Sequence, residues 1–94
     1  MDGLFELRGG VAVPRREFER IFLASPGVAD FFVAQTDRGI DVSVATDGSC
    51  DAERLRGELV DLLARHGVAT PEVRVREVEA PDRLWSGKVR QFAP

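Results

Sequence analysis

Two alternating runs about a tight turn constrain this chain more than any other feature. Residues 30–36 (DFFVAQT) and 40–46 (IDVSVAT) flank Asp37-Arg38-Gly39. In the second run Ile40, Val42 and Val44 alternate with Asp41 and Ser43, the two-residue period of a strand with one buried face. The intervening tripeptide is turn chemistry, so the pair predicts a β-hairpin. Whatever this chain folds into has to cover the apolar side of that hairpin.

Helical patterns stand on both sides of it. Pro14 sits where a helix can begin, its missing N–H harmless in the first turn. Phe18, Ile21, Phe22 and Ser25 then fall on one stripe, with Arg15, Arg16, Glu19 and Arg20 expected in water. Ser25-Pro26-Gly27 stops that helix. A second helix is predicted over residues 52–66, capped by Ser49 or Asp51 at its start and by Gly67 at its end. Its apolar stripe is Leu55, Leu59, Leu62 and Leu63. Residues 72–78 read as a further strand, with Val73 and Val75 alternating with Arg74 and Arg76. At the front, residues 4–7 and 11–13 are short apolar stretches around Arg8-Gly9-Gly10, a small hairpin. Residues 80–94 read as a loop. The expected fold is α+β: a small, mainly antiparallel sheet with two helices on one face. Its order is short β-hairpin, α, β, β, α, β and a C-terminal loop holding Lys88.

Ninety-four residues make one domain, and 44% hydrophobic with 31% charged residues is ordinary globular composition. A net charge of -3 argues against a nucleic-acid binder, whose phosphate contacts need a basic surface. No apolar run exceeds four residues, and MDGLFELRGG has no basic-then-apolar signal pattern. A soluble cytoplasmic domain, with no membrane partner, is expected. So short a chain leaves little room for a core and an enclosed metabolite pocket, which predicts an active site shared with another domain.

The usual nucleophile and base have bland readings here. His66 falls at a helix end, where an imidazolium suits the terminal carbonyls. Cys50 stands beside a helix N-terminus with no base near it in sequence, and reads as incidental. One His, one Cys and scattered carboxylates have no metal-ligand spacing, so no metal site is expected. There is no GxxxxGK[ST] loop to cradle a triphosphate. The arginines of PRREFER interleave with Glu17 and Glu19 as on a solvated helix face. Trp85 reads equally as a hydrophobic plug or a docking residue. Lys88 differs from these. It is the only lysine among 13 basic residues, and it follows Ser86-Gly87 in a loop. A lysine kept in so arginine-biased a chain suggests that a compact ammonium is needed.

These residues resemble a known family. Residues 7–33 (LRGGVAVPRREFERIFLASPGVADFFV) resemble the start of the C-terminal subdomain of adenylate-forming enzymes, the acyl–coenzyme A ligases, peptide-synthetase adenylation domains and luciferases. There an "RGxx…EIExxLxxHPGVxxAxV" pattern recurs, matched here by Arg8-Gly9-Gly10, Glu17-Phe18-Glu19 and residues 25–30. WSGKVRQF (residues 85–92) is similar to the family's terminal "SGKxxR" motif, with Lys88 and Arg90 in place. The phenylacetate–coenzyme A ligase branch looks nearest. One departure is Asp82-Arg83-Leu84-Trp85 where the family commonly has "PRTx".

The resemblance implies a two-step reaction. A carboxylic acid attacks ATP, with Mg2+, to give an acyl-adenylate, and a thiol then displaces AMP. That thiol belongs to coenzyme A or to the phosphopantetheine of an acyl carrier protein. Lys88 would be the catalytic lysine of the first step. Arg8, Gly9 and Gly10, with Ser86 and Gly87, would be the loops at the adenylate and the thiol, and Asp2 falls near the hinge. The ATP- and acid-binding part would be a separate N-terminal adenylation domain, in cis or in trans, and this chain alone would be inactive. A different class of reading is a small ferredoxin-like or ACT-like module that binds a ligand or a protein without catalysis.

Overall fold

The computed structural model describes residues 3–7, 10–46, 48–79 and 92–93. Its elements are β1 (Leu4–Glu6), β2 (Ala12–Pro14), α1 (Arg15–Leu23), β3 (Val28–Gln35), β4 (Gly39–Thr46), α2 (Ala52–Arg65), β5 (Glu72–Glu79) and β6 (Phe92–Ala93). The α+β class is the one expected, and so is the order of elements as far as β5. β1 and β2 form their own antiparallel ribbon, and the larger sheet runs β5-β4-β3-β6.

β3 and β4 pair antiparallel, with Phe31 opposite Val44 and Val33 opposite Val42, and a register shift between Val28 and Asp30. β5 enters parallel to β4, with Val73 beside Ile40 and Val75 beside Val42. A parallel neighbour needs a crossover, and α2 supplies it. β6 lies parallel to β3 at Val33 and Ala34. That strand falls in the stretch read as loop. Its two residues pair because the edge of β3 offers backbone groups, which local composition does not signal.

One apolar cluster holds the layers together. Phe5, Leu7 and Val13 of the front hairpin meet Phe18 and Phe22 of α1 and Leu55, Leu59, Leu62 and Leu63 of α2. All pack on the sheet face made by Phe31, Val33, Ile40, Val42, Val44 and Val73. Phe5 meets Phe18 edge to face at 5.7 Å, and Phe22 stacks on Phe31 at 4.2 Å. Such pairs add to the area they bury, which matters for a nine-residue helix that would be marginal alone.

Both helices start and stop for local reasons. The Asp51 carboxylate accepts the Arg54 N–H at 3.1 Å, making it the cap of α2. At the far end the Gly67 N–H donates to the Ala64 carbonyl and the Val68 N–H to the Leu63 carbonyl, with Gly67 at φ +102. This crossed pair of bonds needs a left-handed residue, which glycine adopts freely. α1 begins after Pro14 and ends as the Ser25 hydroxyl donates back to the Ile21 carbonyl at 2.8 Å, so Ser25 serves the backbone. Arg15 departs from its expected exposure. It is half-buried and its Nε is shielded, because the first turn is tied down by the Arg15 N–H on the Gly3 carbonyl at 2.6 Å. Glu19 is half-buried too.

Gly57 lies in α2, exposed, with no atom within 4 Å of where a methyl would stand. Glycine there carries the entropy cost of a helix interior and no compensating contact. Gly57→Ala is expected to stabilise the domain by about 0.5–1 kcal/mol, read as a rise in the midpoint of thermal unfolding by circular dichroism.

Candidate functional site

Three turns meet at one end of the sheet. The first is the connection between β1 and β2, where the Leu7 N–H donates to the Val11 carbonyl at 2.7 Å. The second joins β3 to β4. There the Thr36 N–H donates to the Gly39 carbonyl at 2.9 Å, and the Gly39 N–H to the Thr36 hydroxyl at 3.0 Å. The third, residues 67–70, links α2 to β5. Leu7 and Val11, Thr36 to Gly39 and Gly67 to Thr70 together line a cavity of about 380 Å³. Thr70, at φ +44, is the one non-glycine residue with positive φ among the described residues. A threonine held in that region stores backbone strain.

On the other side of the same β3–β4 turn a second cavity, of about 320 Å³, is lined by Asp37, Arg38, Asp41, Glu72 and Arg74 among others. Arg38 stands 3.6 Å from Glu72, with both side chains more than half exposed. An ion pair so well solvated orients little and contributes little. The two cavities present mixed charge with an apolar floor from Ile40 or from Leu7 and Val11. Mixed charge over an apolar floor is chemistry that suits a polar ligand.

Of the residues singled out in the sequence, Gly10 is described. It is exposed, at φ +83, with no atom within 4 Å of where a Cβ would stand. The turn therefore uses glycine for its backbone angle and leaves open space above it. Asp2, Arg8, Gly9, Ser86, Gly87 and Lys88 lie outside the described residues, as do Trp85 and Arg90.

His66 and Cys50 sit where the bland readings put them. His66 closes α2, and its Nδ1 lies 3.0 Å from the Leu62 carbonyl. Cys50 is half-buried against the core just before the Asp51 cap. Among the described residues no group of three or more His, Cys, Asp and Glu could hold a metal ion.

Sequence reasoning passed over two features. Asp30 is buried, 3% exposed, with Oδ1 accepting the Phe31 N–H at 2.9 Å. Its place beside the register shift at the start of β3 was not visible in the alternation. Gly39 was read as turn chemistry, but a Cβ on it would overlap the backbone of Glu72. β4 and β5 approach at that point as only a glycine permits. No protein-family model matches the chain, and no curated protein matches it.

Proposed function

We propose that the chain is the C-terminal subdomain of an adenylate-forming acyl or aryl acid ligase, working with an N-terminal ATP-binding domain. The observation that carries this reading is the pair of sequence motifs, Arg8-Gly9-Gly10 between β1 and β2 along the chain and Ser86-Gly87-Lys88 between β5 and β6. The open glycine turn beside a cavity supports a role for it at a ligand. The sequence has no phosphate loop, and the described residues have no cluster of metal ligands. ATP and Mg2+ accordingly belong to the N-terminal domain in this reading. Lys88 serves the adenylation step, and the glycine turn lines the path of the coenzyme A or carrier-protein thiol.

The test is reconstitution with a candidate N-terminal domain, following both half-reactions. The chain alone is expected to release no pyrophosphate from ATP and an aryl acid, and the pair to release it. Gly10→Leu should slow thioester formation more than adenylate formation, because a bulky side chain fills the space over the turn. Equal losses in the two half-reactions would mean that the turn serves folding alone. The cavity at the sheet end also favours a second reading, a non-catalytic binding module. In that case a small polar ligand would perturb the resonances of Thr36, Arg38 and Thr70, and no N-terminal domain would restore activity.

A further inference from the structure

β5 is an outer strand of the sheet, and among the described residues nothing pairs with its far edge. The Glu72 N–H donates to the Arg38 carbonyl at 3.1 Å, so Glu72 turns its backbone toward β4. That direction alternates along a strand, which leaves the N–H and carbonyl groups of Val73, Val75 and Glu77 aimed outward. Such a row is a template for another strand, and proteins blunt it with proline, a bulge, a very short strand or charge. β5 spans eight residues, holds no proline and keeps its register against β4 without a shift. Charge is the one device left, and here its pattern favours one partner.

Side chains alternate too. Val73 belongs to the apolar cluster under the helices, and Val75 is half-buried against it. Glu72, Arg74 and Arg76 stand on the opposite face, exposed. A two-fold axis normal to the sheet brings two copies of this edge together antiparallel, and the residue on the axis fixes the register. With Val75 on it, Arg74 meets Arg76 of the other copy twice. With Arg76 or Glu77 on it, that residue meets itself and Val75 meets a glutamate. With Val73 on it, an outward bond falls to Pro71, which has no N–H. With Arg74 on it, Val73 meets Val75 and Glu72 meets Arg76, each twice. Opposite charges and β-branched pairs directly across from one another stabilise a ladder. The one like pair in that register, Arg74 on itself, has Asp41 of β4 beside it in each copy.

We infer that two copies of the chain associate through β5, antiparallel and with Arg74 on the two-fold axis, joining their sheets into one with the helices of both copies on the same side. Val73 of one copy then covers the exposed part of Val75 of the other. Glu72 stands between Arg38 of its own chain, 3.6 Å away, and Arg76 of the other copy. This does not depend on the ligase reading, since the edge belongs to the isolated chain without ATP or acid.

So short a ladder makes a weak dimer, to be sought by sedimentation equilibrium at up to about 1 mM chain. Over the same range the Val73 and Val75 amides, which face outward in the single chain, should gain protection from hydrogen exchange as concentration rises. Glu72→Arg and Arg76→Glu should each weaken association about tenfold, because each sets two like pairs across the axis. The double variant restores opposite charges and should return association to within about threefold of the unaltered chain. A chain that stays monomeric at the highest concentration, or a dimer whose Val73 and Val75 amides remain unprotected, would overturn the inference whether or not any variant folds. So would single reversals without effect, or a double variant that keeps its far-ultraviolet signal and fails to associate.

Discussion

On the proposed ligase reading, Lys88→Ala combined with a partner N-terminal domain is expected to lower the adenylation rate on the order of a hundred- to a thousandfold and leave the thiol step nearly unchanged. Negative charge gathers on the α-phosphate and carboxylate oxygens as the new bond forms, and an ammonium positioned there stabilises it. At about 4 Å and an effective dielectric near 20 such a contact is worth roughly 4 kcal/mol before desolvation. Each 1.36 kcal/mol is about tenfold in rate, which sets the expected range once desolvation is subtracted. Lys88→Arg should rescue little, because a planar fork does not replace a point charge. Single-turnover assays of acyl-adenylate and thioester formation separate the two steps. Normal adenylation in the alanine variant would remove Lys88 from the chemistry and take away the main support for the ligase reading.

Gly39→Val is expected to destabilise the domain by about 3 kcal/mol, the upper part of the range for overpacked sites. The added Cβ would overlap the carbonyl, carbon and nitrogen of Glu72, all backbone atoms that cannot rotate away. Relief requires β5 to move off β4, which breaks the Glu72 N–H bond to the Arg38 carbonyl and opens the first pair of the parallel ladder. Gly48→Ala is the control. Its φ of +95 strains an alanine, but no atom lies within 4 Å, so only the smaller cost of about 1–2 kcal/mol is expected. Urea denaturation of both variants gives the comparison. A Gly39 variant no less stable than the Gly48 variant would show that the strands can separate there without loss.

Much of this architecture was legible where residues act on their near neighbours. α2 announced itself through Leu55, Leu59, Leu62 and Leu63 at helical spacing, with Ser49 or Asp51 at its start and Gly67 at its end, and the structure caps it with Asp51 and Gly67. The β3–β4 hairpin was equally plain from Ile40, Val42 and Val44. What could not be read depends on partners far along the chain. Alternation in residues 72–78 says that a strand exists and which face is apolar, but not that it runs parallel to β4. Nothing local marks Phe92 and Ala93 as a strand, since β3 supplies the pairing. Arg15 looked solvated because helical periodicity ignores the Gly3 carbonyl that anchors its turn. The candidate site was legible only as motifs. Arg8-Gly9-Gly10 and Ser86-Gly87-Lys88 stand out by composition, whereas the cavity joins Leu7, Arg38 and Thr70 from three separate connections.

The central position of β4 sets how the molecule yields. It is flanked on one side by β3 and on the other by β5, and its inward side chains Ile40, Val42 and Val44 have essentially no exposure. Its amide protons are therefore expected to exchange only when most of the domain opens, while those of the two-residue β6 are expected to follow smaller, local openings. Cooperativity is concentrated in the middle of the chain, and both motifs lie toward its ends. A second protein that exchanged the two β6 pairings for its own would draw little on the free energy that keeps the remainder folded, whereas one that displaced the front hairpin would have to unpack Phe5 and Val13 from the core.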